Sequence, residues 1–182
     1  MSNRLNRLLR NYQRHIEVPW QQGIAGKQKV LFAVYDKQDE LKLPPRLIEF
    51  EMATTSARHE WYQFDITPCF PQWMAQLDYH EGYFESPEDI ESCLPDFVES
   101  LVKQIRSKLE QATDNSVFAL TGLSSLFGFA KVSELVDRIA PSIRGRLLVF
   151  FPGEFENNNY RLLDARDGWN YMAVPITCND HL

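Results

Sequence analysis

Ser116–Phe151, SVFALTGLSSLFGFAKVSELVDRIAPSIRGRLLVFF, places two apolar runs on either side of an amphipathic segment. Ser116 to Leu120 (SVFAL) is a short run of strand formers that ends in Thr121-Gly122. Arg146 to Phe151 (RLLVFF) is a second such run, stopped by Pro152-Gly153. Between them Val132, Leu135, Val136 and Ile139 recur on one helical face, and Pro141 and Gly145 close that helix. Strand, helix and strand in this order read as a unit of a parallel sheet covered by helices.

The flanking sequence repeats the pattern. Lys29 to Tyr35 (KVLFAVY) is a buried-strand run between Gly26 and Asp36, and Glu60 to Ile66 alternates as another strand until Thr67-Pro68. Leu5, Leu8, Leu9, Tyr12 and Ile16 share one face of an N-terminal helix. Pro44-Pro45 opens a second helix, with Leu47, Ile48 and Met52 expected inward. A short helix is expected around Gln72 to Tyr79. Ser86-Pro87-Glu88-Asp89 has the residues of a capped helix start. After a restart at Pro95, Phe97, Val98, Leu101, Ile105 and Leu109 form a long apolar stripe. In the tail, Tyr160 to Ala165 and Trp169 to Pro175 are strand-like, and Asp167-Gly168 between them suits a hairpin turn. The expected fold is α/β: a mostly parallel sheet flanked by helices, with a C-terminal β-hairpin making a mixed edge. No repeat or long linker divides the chain, so 1–182 reads as one domain.

Composition narrows the classes of function. The 182 residues are 44% hydrophobic and 24% charged, enough for one sizeable core. A net charge of −6 argues against a phosphate backbone as the main ligand, so direct nucleic-acid binding is not expected. Cys69, Cys93 and Cys178 are odd in number and contain no C-x-x-C pair, which argues against a disulfide framework or a cysteine-rich zinc site. No run of about 18 apolar residues could cross a bilayer, and Met1 to Arg14 lacks the pattern of a secretory signal. The arginines there (Arg4, Arg7, Arg10, Arg14) fit either a membrane-surface helix or a solvated face.

In parallel sheets, ligands bind beyond the carboxyl ends of the strands. That rule marks a candidate crevice of Asp36, Asp65, Thr121, Gly122, Ser124, Pro152, Gly153 and Glu154. No catalytic motif fills it. Gly23-Ile24-Ala25-Gly26-Lys27-Gln28 is too short for a P-loop, ends in Gln where a magnesium-binding hydroxyl belongs, and precedes a strand. Asp36, Asp65 and Glu154 could meet around a hard cation, although acids at strand ends more commonly cap turns, and no metal or cofactor is expected. His15, His59, His80 and His181 form no metal-binding motif. Gly122-Leu123-Ser124-Ser125-Leu126 sits where a nucleophile elbow would, with Asp164 or Asp167 and then His181 in hydrolase order, but Leu126 replaces the second glycine. The expected role of Ser124 and Ser125 is therefore to cap the next helix or satisfy turn backbone. Trp20, Trp61, Trp73, Trp169, Tyr160 and Tyr171 supply aromatic area of the kind that interfaces use.

Three stretches carry a resemblance to a known family. They are Val30–Leu41 (VLFAVYDKQDEL), a strand running into an acidic turn; Phe118–Phe127 (FALTGLSSLF), a strand ending in Thr-Gly; and Leu148–Phe155 (LVFFPGEF) with the later Tyr160–Leu163 and Trp169–Tyr171. In these and in layout the chain resembles the BrxB proteins of BREX (bacteriophage exclusion) systems, departing from their pattern between Pro68 and Glu91. The resemblance implies a cytoplasmic, non-catalytic component of a defence system that blocks phage replication and marks host DNA by methylation. It also implies a partner similar to PglZ, an alkaline-phosphatase-like protein. The expected function is interaction or assembly within such a system. The alternative is a small enzyme or a degenerate nucleotide- or metal-binding module, with Asp36, Thr121, Ser124 and Glu154 converging at the strand ends. A third reading, a nucleic-acid accessory using the first helix with Arg144 and Arg146, is weakened by the acidic charge.

Overall fold

A computed structural model describes residues 3–78, 80–165 and 168–179. The elements in chain order are helix α1 (Asn3–Ile16), strand β1 (Val30–Tyr35), α2 (Leu47–Ser56), β2 (Glu60–Asp65), α3 (Cys69–Met74), α4 (His80–Glu85), α5 (Leu94–Leu109), β3 (Ser116–Thr121), α6 (Val132–Ile139), β4 (Arg146–Glu156), β5 (Asn159–Leu162), β6 (Trp169–Asn170) and β7 (Val174–Ile176). The path β2-β3-β4-β1-β7 runs through parallel pairs, while β5 pairs antiparallel with β4 and β6 pairs antiparallel with β5. The sheet is therefore mixed, which corrects the expectation of a mostly parallel one with an antiparallel edge. The edge beyond β1 is the parallel strand β7.

Strand alternation sends side chains to opposite faces and so divides the core in two. Leu31, Ala33, Val117, Ala119, Leu148 and Phe150 pack under α1 and α2. Phe32, Phe118, Leu120, Leu147, Val149 and Phe151 pack under α5, α6 and the β5–β6 arm. The α1 face is spent inside the first layer, with Leu5, Leu8, Tyr12 and Ile16 all buried. That occupied face leaves no apolar stripe for a membrane surface. Among the described residues, no helix is long and apolar enough to cross a membrane. The stripe on α5 and the inward face of α6 lie where their periodicity places them.

Several expected details change. Helix α2 keeps Leu47 against the core as expected but adds Phe50, Ala53 and Thr54 to its inward face, whereas Ile48 and Met52 are 56% and 61% exposed. The polar Thr54 is tolerated because its hydroxyl bonds the Phe50 carbonyl at 2.8 Å and shares a 2.6 Å hydrogen bond with the Tyr12 hydroxyl. Ser86 starts a 3₁₀ turn (Pro87–Cys93) without a side-chain cap, and α3 begins three residues ahead of the helix expected from Gln72.

The largest change is at Pro152-Gly153, which does not end β4. The strand carries on to Glu156 and exchanges its parallel neighbour β1 for the antiparallel β5. Pro152 stands opposite Tyr35 at the last parallel pair, where a missing N–H is least felt, and its carbonyl accepts from the Leu163 N–H at 2.8 Å. Asn157 and Asn158, at φ +49° and +62°, turn the chain between β4 and β5, as a tight hairpin with two left-handed residues requires. The β5–β6 pair expected around Asp167-Gly168 does form, through Tyr160 opposite Trp169. Asp167 itself lies outside the described residues. The rest of that run, Val174–Ile176, leaves to pair with β1.

Burial of His15 makes a test of this packing. Desolvation, with the nearby Arg146 charge adding to it, lowers its pKa from the usual 6.5. The unfolded chain therefore takes up a proton that the folded chain resists, and stability rises with pH across that window. Cooling of the melting temperature is expected as pH falls below about 6.5. His15→Gln should flatten the slope in thermal scans between neutral and mildly acidic pH; an unchanged slope would show that other groups set it.

Candidate functional site

The parallel strands end along one side of the sheet, and the carboxyl ends of β1 and β4 open into a cavity of about 400 Å³. Asp36, Gly153 and Glu154 line it, together with Arg4, Lys37 and the tail residues Thr177 to Asn179. Asp36 begins a 3₁₀ helix (Lys37–Lys42), accepting from the Gln38 N–H at 2.9 Å through Oδ1 and from Arg4 Nη1 at 2.8 Å through Oδ2. Glu154 is exposed and makes a loose 3.8 Å ion pair with Arg161.

The other candidates fall elsewhere. Asp65, Thr121 and Gly122 gather at the ends of β2 and β3. Asp65 Oδ1 accepts from the Thr67 N–H at 3.0 Å, and the Thr121 hydroxyl reaches the Phe64 carbonyl at 3.5 Å. Gly122 lies at φ +79°, and a Cβ there would stand 2.4 Å from Thr67 Oγ1 and 2.5 Å from Asp65 Oδ1. Asp36, Asp65 and Glu154 thus do not meet as one cation cage. Among the described residues no group of three or more His, Cys, Asp or Glu is placed to hold a metal ion.

Ser124 bridges the two loops. Its hydroxyl donates to Glu40 Oε1 at 2.6 Å, and Glu40 Oε2 accepts from the Tyr35 hydroxyl. The phenol is pushed well above its usual range by burial, reinforced by that bonded carboxylate. Ser124 is thus held by a carboxylate on β1's side of the sheet, and His181 lies outside the described residues. Ser125 donates to the Gly122 carbonyl at 2.6 Å, satisfying the turn as expected. The convergence expected of Asp36, Thr121, Ser124 and Glu154 is corrected: the cavity takes the first and last of these and neither of the others.

Sequence reading missed the group that holds this end of the sheet together. Asp39 is completely buried, and its carboxylate accepts from Arg4 Nε at 3.1 Å and Lys42 Nζ at 2.8 Å. Its signal was the Asp36-x-x-Asp39 spacing on a short helix, which puts both acids within reach of one arginine of α1. Arg4 is thereby engaged with protein carboxylates. Arg146 is also engaged: it is 8% exposed, donates to the Gln21 carbonyl at 3.2 Å and lies 4.7 Å from the Trp20 ring centre, which stacks on His59 at 3.8 Å. The basic surface needed for a nucleic-acid reading loses two members. Cys69, Cys93 and Cys178 are free thiols. Burial raises the pKa of Cys69 and of Cys178, which disfavours a reactive thiolate at either.

Gly153 has a backbone reason to be glycine. A Cβ there would lie 2.0 Å from the Arg161 carbonyl oxygen on β5. Gly153→Ala is expected to push β5 off β4 and cost about 1–3 kcal/mol. Chemical denaturation would measure the loss, and amide exchange should locate it in residues 153–162; a neutral effect would contradict the pairing.

Away from the strand ends, the loop between β3 and α6 separates two grooves. One, about 440 Å³, is lined by Phe127, Val132, Leu162 and Trp169. The other, about 490 Å³, is lined by Leu94, Pro95, Val98 and Phe129. Phe127 is 47% exposed between them, while Phe129 is anchored by stacking on Phe70 at 4.3 Å. No sequence signal separated the exposed aromatic from the anchored one.

A family model described as BREX protein BrxB matches residues 71–176, more than half of the chain. The stretches Phe118–Phe127 and Leu148–Phe155 lie inside the match, and Val30–Leu41 lies outside it. Most of the Pro68–Glu91 segment, expected to depart from the family, is within the matched residues. No curated protein and no solved structure matches the chain.

Proposed function

The chain belongs to the BrxB family and is a component of a BREX defence system, and from that premise we propose that it acts as a non-catalytic assembly protein that holds a PglZ-like, phosphatase-fold partner. On this reading it works in the cytoplasm as one domain spanning 1–182. One observation carries the proposal: both grooves beside Phe127 are formed wholly by residues inside the family match, whereas the strand-end cavity is built partly from residues outside it. An exposed aromatic between two part-apolar grooves suits a partner's side chains.

The second reading, a small-molecule module at the strand ends, is favoured by the cavity that does bring Asp36, Gly153 and Glu154 together. Glu154→Ala combined with Lys37→Ala separates the two. Both side chains are substantially exposed, at 63% and 45%, so the fold should survive. An assembly protein keeps phage protection in a host carrying the whole defence gene set. Loss of protection by a folded double variant that still binds its partner would overturn the assembly reading in favour of the cavity.

A further inference from the structure

The two edges of the parallel path are treated differently. Strand β7 is three residues long, has Pro175 at its centre, and runs into a tail tied to α1 by Asn11 Nδ2, which donates to the Thr177 carbonyl at 2.8 Å. A short edge interrupted by proline is a poor template for another strand. Strand β2 is six residues long, contains neither Pro nor Lys, and among the described residues pairs only with β3. The N–H groups of Glu60 and Ile66 bond Asn115 and Thr121 at 3.1 and 2.9 Å, so by alternation the even-numbered residues face β3. Trp61, Gln63 and Asp65 direct their N–H groups outward.

We propose that β2 is a self-complementary interface, on which a second copy of this chain pairs antiparallel about Gln63 to make one continuous sheet across a two-fold axis. This register uses the whole outward-facing set: Gln63 bonds Gln63 of the second copy, and Trp61 bonds Asp65 of the second copy. It brings Tyr62 against Phe64 of the second copy at the closer, non-hydrogen-bonded positions, where aromatic pairs are favourable. Glu60 falls opposite Ile66 and Asp65 opposite Trp61, so no like charges meet. Tyr62 and Phe64 are half-buried against the α5 layer, and Trp61 against the α1–α2 layer, so each face continues across the axis. The interface lies outside residues 71–176 and does not depend on the partner proposed above.

Gln63 is exposed, so substitutions there leave the core intact. Sedimentation equilibrium of the full chain should show a dimer. Gln63→Lys sets two cations opposite each other at the axis and should raise the dimer dissociation constant at least about tenfold, with an unchanged melting curve of the separated chains. Gln63→Cys should form a reducible covalent dimer under mild oxidation, since hydrogen-bonded antiparallel partners sit about 5.5 Å apart at Cα, within disulfide range. The wild-type chain, treated identically, should not. A wild-type monomer at about 100 μM, or a dimer that neither responds to Gln63→Lys nor cross-links through position 63, overturns the proposal.

Discussion

Phe32→Ala is expected to cost about 4 kcal/mol, a large share of the 5–15 kcal/mol that typically holds a domain of this size. Phe32 is completely buried on β1, with its ring centre 5.5 Å from Phe151, 4.6 Å from Tyr160, 5.7 Å from Trp169 and 5.8 Å from Tyr171. Those neighbours come from β4, β5, β6 and the segment leading to β7, so one ring is the floor on which the whole C-terminal arm is laid. Truncation removes the transfer energy of the ring and leaves a cavity that four aromatic neighbours cannot close without moving the arm. Urea unfolding should show a lower midpoint at an unchanged slope, and Trp169 emission should shift to the red in the folded variant. A cost below about 1.5 kcal/mol, within the range for volume-conserving core swaps, would mean the arm is not seated on β1 as described.

Asp39→Ala is expected to cost about 3 kcal/mol, by removing a buried acceptor of two charge-assisted hydrogen bonds. The cost falls short of the upper range for broken buried pairs because Arg4 and Lys42 are 39% and 57% exposed and can recover water. The loss should include loosening of α1 from the turn after β1, since Arg4 binds both Asp36 and Asp39. A double-mutant cycle with Arg4→Gln tests this: the two substitutions should be clearly non-additive in urea unfolding. Additive losses would place the value of Asp39 in contacts other than Arg4.

What the sequence could reveal was local. Strands β1 and β3 and helices α5 and α6 were legible because every residue that fixes them lies within a few positions, as with the Val132, Leu135, Val136 and Ile139 spacing. The inward face of helix α2 is only partly legible, because Thr54 on it is polar and suits the interior through its bonds to the Phe50 carbonyl and to the hydroxyl of Tyr12, forty-two positions away. Strand β4 was cut short because Pro152-Gly153 has the local signature of a stop, whereas its consequence depends on which neighbour the strand has at that point. The candidate crevice was half legible for the same reason. The ends of β1, β2 and β3 are legible in the sequence, but strand order decides which ends are neighbours, and that order puts Asp36 with Glu154 and Asp65 with Thr121. Gly122 and Gly153 were marked as site residues, and each is held to glycine by a close backbone or side-chain approach. The buried Asp39 and the Trp20–His59 stack belong to tertiary structure alone.

The proposed role of this BrxB-family chain is to hold a PglZ-like protein through the face around Phe127. The most direct measurement is equilibrium binding of the purified chain to the purified PglZ-like protein of its own defence gene set, using wild type, Phe127→Asp and Glu154→Ala. The expected result is a dissociation constant of about 1 μM or tighter for the wild type, at least about tenfold weakening by Phe127→Asp, and no change for Glu154→Ala. No binding by the wild type, or equal binding by Phe127→Asp, would contradict it.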